Sequence, residues 1–265
     1  MNIYIHELKT NLKSSLSYLI GMIVFSAFYV SFYQVFTNEA FGFMKMLEGF
    51  PPAFQSAFGV DIANIMSPMG YYSFVLFYIL LIASIQGMNL GVSILSKEER
   101  EKTADFLMTK PASRSWILFS KLDAAITIIL LSNLLLYIAS YLSVSLIINE
   151  EFSFKVFTLL HLSIFIVEMI FLGIGFLIGV FLKRIKSTIS ITMAVVFGFF
   201  AIGAFAVNAS DDKMRYLTPF KYFDTSYILK NESFELSYLL VAIGVILVCL
   251  VGSYLIYVNK DIDSV

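Results

Sequence analysis

The chain is 265 residues long, 59% hydrophobic and 14% charged, with a net charge of −1. A soluble domain holds about 45–50% apolar and about 25% charged residues, so the surplus apolar surface here has to face lipid. The near-neutral charge argues against a nucleic-acid partner, and a single cysteine, Cys249, excludes a disulfide framework.

Only helices and closed barrels cross a bilayer. The apolar runs here are about 20 residues or longer, which is helix length rather than barrel-strand length. Residues 1–14 read as an N-terminal interfacial helix, with Ile5, Leu8 and Leu12 on one face and Glu7, Lys9, Asn11 and Lys13 elsewhere. The first apolar run is too long for a signal-peptide core and reads as a retained first span. Six spans are predicted, approximately at 16–36, 71–95, 122–148, 156–182, 188–207 and 236–258. The expected fold is therefore an all-α polytopic membrane protein, one transmembrane domain over residues 1–265.

With the N-terminus inside, twelve of the eighteen Lys and Arg residues fall in the inner segments. Cytoplasmic segments are enriched in these residues, so both termini are expected in the cytoplasm. The long outer segments carry aromatics, Phe41, Phe43, Phe50, Phe54 and Phe58 in one and Tyr216, Phe220, Tyr222, Phe223 and Tyr227 in the other. Anchoring at the membrane interface is the expected role, with a guarded substrate exit as the alternative.

Polar residues stand out within the spans. The second holds Gln86 and Asn89, flanked by Gly87 and Gly91 at the spacing that lets helices approach closely. Gly175 and Gly179 repeat that spacing in the fourth span, and packing within the chain or contact with a second subunit would both use it. Glu168 lies near the middle of the fourth span, where a charge is costly and faces a bundle interior or a watery cavity. His161 is two turns earlier on the same face, so the pair either forms a polar track or joins helices by hydrogen bonds.

The most informative stretch lies between the second and third spans. Glu98, Glu99, Arg100 and Lys102 give it charges of both signs, and Glu98 to Lys102 is a favourable i,i+4 pair. Ala104, Leu107 and Met108 form an apolar stripe with Phe106 beside it, and Pro111 stops the helix. Ser113 is placed to cap the next helix, which carries Trp116 at the membrane boundary. Such a helix suits a groove on a cytosolic partner, although a solvated connecting helix would read alike.

The stretch from Glu98 to Lys121 resembles the cytoplasmic segment of type-2 ABC exporter permeases: an acidic pair, Lys102-Thr103, a hydrophobic group, Lys110-Pro111 and a Ser120-Lys121 entering the third span. Lys102 stands where many members have Gly. Tyr216–Asp224 and, more weakly, Leu47–Gly59 resemble the family's outer segments. The resemblance implies a coupling helix in which Glu98, Glu99, Thr103, Phe106, Leu107 and Pro111 match the part that docks on an ATPase, with Arg100 and Lys102 in the same segment. It also implies a dimer of permease subunits, homo- or heterodimeric, bound to two ABC ATPase copies in a bacterial cytoplasmic membrane. ATP and magnesium would belong to those partners, with no cofactor in this chain.

No phosphate-cradling Gly-x-x-x-x-Gly-Lys-Ser/Thr stretch occurs, so the chain is not expected to be an enzyme itself. The Glu-Glu-x-x-x-Arg pattern of membrane-embedded proteases fails because Thr103 takes the place of its Arg. His6 and His161 lie in unrelated segments, and no metal site is expected. A stand-alone secondary transporter is the alternative function, but it would carry internal repeats that the two halves do not display.

Overall fold

The computed structural model describes residues 3–39, 42, 44–46, 49–51, 64–100, 113–148, 150–182, 185–206 and 212–259. Most of those residues are helical, the rest turns and short connections, with no strand among them. Helix α1 runs Ile3–Ser31 and α2 Tyr33–Asn38, α3 is Pro68–Arg100, α4 Arg114–Ile147, α5 Phe154–Phe181 and α6 Thr188–Ala206. Two 3-10 turns, Asp212–Leu217 and Pro219–Lys221, and the short α7, Thr225–Asn231, lead into α8, Leu236–Asn259. The long helices alternate in direction. One end of the bundle gathers Glu7, Ile94, Lys121 and Val258, and the other gathers Tyr33, Glu150, Glu232 and Glu235.

Among the described residues five helical segments are long and apolar enough to cross a membrane: Ile3–Asn38, Pro68–Lys97, Arg114–Ile147, Phe154–Phe181 and Leu236–Asn259. The expected span at 188–207 corresponds to α6, an apolar helix of 19 residues. One expectation is corrected. Residues 3–14 do not form a separate surface helix but continue unbroken into the first span. Ile5 and Leu12 are 46% and 49% exposed, whereas Glu7 is buried at 2%. Glu7 turns inward because it finds a cation within the bundle, while Ile5 and Leu12 are left to the surroundings and Lys9 and Lys13 stay exposed. Arg114 likewise starts α4 well before the expected boundary at 122, with the Ser113 hydroxyl accepting the Trp116 N–H at 3.2 Å. A cap of this kind contributes about 1 kcal/mol.

The bundle is built on α3 and α5. Most of each apolar stretch is buried, 67% for α3 and 61% for α5, against 28%, 33% and 17% for the stretches in α1, α4 and α8. The glycines explain how these two helices come so close. A Cβ at Gly87 would stand 2.5 Å from the Glu168 carbonyl oxygen, and one at Gly91 2.6 Å from that of Leu172. From the other side, a Cβ at Gly175 would stand 2.6 Å from the Met88 carbonyl oxygen. Backbone meets backbone, so no side chain fits at these three points. The Gly pairs of the two helices thus face each other within one chain. Around this pair, α1 and α4 pack on each other, α6 lies on α3, and α8 lies on α5.

At the end opposite Glu7, Tyr216–Asp224 folds inward. Thr218 donates to the Phe199 carbonyl at 2.8 Å, and the Phe220 ring centroid lies 5.3 Å from that of Phe171. Asp224 caps α7 by accepting the Ser226 N–H at 2.8 Å. Phe220, Tyr222 and Phe223 are buried, so interfacial anchoring is corrected for these three; Tyr216 is exposed and stacks on Tyr238. The Arg215 guanidinium pairs with Glu235 at 2.7 Å and lies 4.1 Å over the Tyr238 ring. Burial pushes the Lys221 ammonium below the ordinary lysine range, with the Asp224 carboxylate acting against that shift. Of the aromatics in the other outer segment, Phe41, Phe43, Phe54 and Phe58 lie outside the described residues.

If α3 and α5 interlock as described, Gly91→Ala and Gly175→Ala each destabilise the solubilised protein by about 1–3 kcal/mol, the cost of overpacking. Gly198→Ala, whose Cβ would meet nothing within 4 Å, serves as the control and does not lower the melting temperature. Equal melting temperatures for all three variants would contradict the interlock.

Candidate functional site

Two helix ends border residues 101–112: the C-terminus of α3 and the N-terminus of α4. The backbone of Glu98, Glu99 and Arg100 completes α3, while Lys102, Thr103, Phe106, Leu107 and Pro111 lie outside the described residues. What the structure adds is a tie across the base of this segment. Lys121, fully buried on α4, donates from Nζ to the Ile94 carbonyl of α3. The same Nζ lies 3.4 Å from Glu7 Oε1 on α1. One ammonium thus links three helices.

Glu7 is held in turn. Asn11 Nδ2 donates to its carbonyl at 2.9 Å and to Oε2 at 3.3 Å. The Tyr4 hydroxyl meets Thr127 Oγ1 at 3.1 Å and strengthens the α1–α4 contact, while Arg114 donates to the Val258 carbonyl and brings α8 to the same end. Desolvating two charges is expensive, and the arrangement persists because both carboxylate oxygens and the ammonium have partners.

Deeper in the bundle lies a polar seam shared by α3, α4 and α5. Asn133 Nδ2 donates to Glu168 Oε2 at 2.7 Å, and Glu168 is fully buried. Gln86 Nε2 donates to Ser132 Oγ at 3.2 Å. Three acceptors along this region, Gln86 Oε1, Asn89 Oδ1 and Glu168 Oε1, are buried with no hydrogen-bond partner. His161 is also buried but sits in an aromatic nest. Its Nε2 is 3.3 Å from the Tyr72 hydroxyl, with the Phe157 and Tyr137 rings at 4.5 and 5.2 Å. Glu168 and His161 thus share a helix and not a hydrogen-bond partner.

A cleft of about 200 Å³ opens between α1 and α3, lined by Asn11, Ser14, Tyr18, Gln86, Asn89 and Lys97 among others. Asn11 joins this cleft to the Lys121 tie through its bond to Glu7. Among the described residues no group of three or more His, Cys, Asp or Glu side chains stands together to hold a metal. Sequence reasoning missed Glu7, Lys121 and Asn133. Asn133 had a readable signal, an amide in the middle of an otherwise apolar span. Lys121 entered only as part of the family pattern and Glu7 only as a polar residue of the first helix, since nothing in their local sequence shows that they meet.

Breaking a buried ion pair by removing one partner costs about 3–5 kcal/mol because the other charge is left unpaired. Lys121→Met should therefore lower stability by that order, and Glu7→Gln with Lys121→Met should recover most of the loss. A double variant as unstable as Lys121→Met would show that the ammonium–carbonyl bond, and not the ion pair, carries the tie.

A family model described as ABC-2 family transporter protein matches residues 1–262. No curated protein matches the chain significantly. The match spans all the helices around the α3–α5 pair and both flanks of residues 101–112, so the chain belongs to the ABC-2 family of transporter proteins and is a membrane-embedded permease of the ABC type.

Proposed function

We propose that the chain is the membrane subunit of an ATP-driven exporter, moving its substrate with energy from a separate ABC ATPase. The observation that carries this reading is the family match over residues 1–262, and membership implies association with such an ATPase. In this reading the segment from Glu98 to Pro111 acts as the coupling helix, presenting Glu98, Glu99, Phe106 and Leu107 to the ATPase. Two copies of that ATPase serve a dimer of permease subunits, and they hold the ATP and magnesium. The Glu7–Lys121 end faces the cytoplasm of a bacterial cell, consistent with the excess of Lys and Arg there.

The Lys121 tie gives this reading a mechanical basis. It joins α3 to α4 immediately inside the segment that the ATPase would grip. A push on residues 98–112 would then reach α1, α3 and α4 together, and α5 would move with them through its interlock with α3.

The test is co-expression of the tagged chain with an ABC ATPase subunit from the same genome. The ATPase is expected to co-purify and to hydrolyse ATP. Phe106→Ala, which truncates an aromatic anchor, should cost about 2 kcal/mol of binding, roughly 30-fold in Kd. Glu98→Ala should weaken capture in the same direction, with membrane insertion unchanged for both. A chain that captures no ATPase, and transports on an ion gradient alone, would be a secondary transporter instead.

A further inference from the structure

The cleft between α1 and α3 is built for more than packing. It runs from Lys97 near the end of α3 back to Gln86, eleven residues earlier and so about 16 Å along the helix. The α1 wall contributes Thr10, Asn11, Ser14, Ser15 and Tyr18, and the α3 wall adds Asn89 and Ser93. Its volume of about 200 Å³ leaves room for a small polar ligand.

The chemistry of the lining selects among ligands. Gln86 is buried to 1% exposure; its amide nitrogen is committed to Ser132 and its Oε1 is unpartnered. Asn89 Oδ1 is buried and unpartnered as well. An unmet buried acceptor costs about 1–3 kcal/mol, so both oxygens call for an O–H or N–H donor. No carboxylate lines the cleft, and its only charged side chain, Lys97, makes no ion pair with any described residue. A cationic ligand would meet an ammonium there, whereas an anion carrying hydroxyls satisfies both requirements.

We propose that this cleft is the loading site of the permease and takes a hydroxyl-bearing phosphate group, its anion beside Lys97 and its hydroxyls turned to Asn89, the nearer of the two unmet acceptors. The proposal rests on the permease reading above and names its substrate class. Such a group can arrive as the headgroup of an anionic lipid or as a water-soluble phosphate ester.

The test uses the full chain in nanodiscs of phosphatidylcholine, whose headgroup has no hydroxyl donor. Phosphatidylglycerol is titrated into the bilayer in one arm and glycerol phosphate into the solution in the other, and binding is read from native mass spectrometry and the melting temperature. Wild-type protein is expected to bind in at least one arm. Lipid alone identifies the membrane as the source, ester alone the solution, and both the shared phosphate chemistry. Losing a charge-assisted hydrogen bond should weaken binding about tenfold or more in Lys97→Gln, with a comparable loss in Asn89→Ala. Lys9→Gln, which removes an exposed cation on α1, should leave binding unchanged. A probe-free melting temperature close to wild type for Asn89→Ala shows that the cleft variant is folded. No binding in either arm, or equal binding by wild type and both cleft variants, overturns the proposal and leaves a water-filled groove. That result beside successful ATPase capture removes the loading site alone. Binding without ATPase capture removes the exporter reading and keeps the site.

Discussion

The close approach of α3 and α5 is the constraint on which the rest of the structure depends. In a bilayer no hydrophobic force drives one apolar helix onto another, because lipid is as apolar as a leucine side chain. Association has to come from dense packing and from hydrogen bonds between helices. Gly87, Gly91 and Gly175 supply the first by removing side chains where two backbones meet. Glu168 and Asn133 supply the second at the same level, tying α4 to the α5 side of that pair. With α3 and α5 fixed in register, the positions of Gln86, Asn89 and the end of α3 follow.

The second layer of organisation is electrostatic. Lys121 and Glu7 are charges that composition alone would place in water, yet each is almost completely buried. They are tolerated because three helices converge on one ammonium and leave neither charge without a partner. The opposite end of the bundle uses a different device. Arg215 pairs with Glu235 over the Tyr238 ring, and the inward-turned aromatics of residues 216–224 pack onto α5 and α6. One end is therefore cross-tied by a buried ion pair, the other closed by an aromatic plug with a partly buried one.

These two layers differ in how far they can be read from the chain. The apolar runs mark the long helices and their order, since a bilayer imposes a minimum length on each. Their ends are less legible. Glu7 and the residues from Arg114 to Lys121 look like boundary residues in isolation, and only pairing across more than a hundred positions draws Glu7 and Lys121 inside. The glycine spacing identifies a close-packed face on each of two helices, but a spacing of four residues says nothing about what the face meets. Glu168 and His161 show the same limit. Two turns on α5 place them on one side, yet at one level that side meets Asn133 of α4 and at the other Tyr72 of α3. Residues 98–112 are recognisable through their resemblance to a docking segment, and the tie at their base is a tertiary fact.

A transporter must hold some contacts through its cycle and release others, and satisfaction of polar groups separates the two. The Lys121 tie is buried and fully partnered, so opening it would strand an ammonium and a carboxylate together. The seam is different: Gln86 Oε1, Asn89 Oδ1 and Glu168 Oε1 are already without partners. These three oxygens have no hydrogen bond to lose, and a state that supplies them a donor while keeping the Gln86–Ser132 and Asn133–Glu168 bonds is favoured by about 1–3 kcal/mol for each acceptor satisfied. The rigid element thus lies beside residues 98–112 and the adaptable one midway along the bundle. Asn11 stands between them, lining the cleft with one side and holding Glu7 with its amide. A ligand that fills the cleft and a force that moves the helix ends therefore act on the same side chain, which is the physical requirement for either to sense the other.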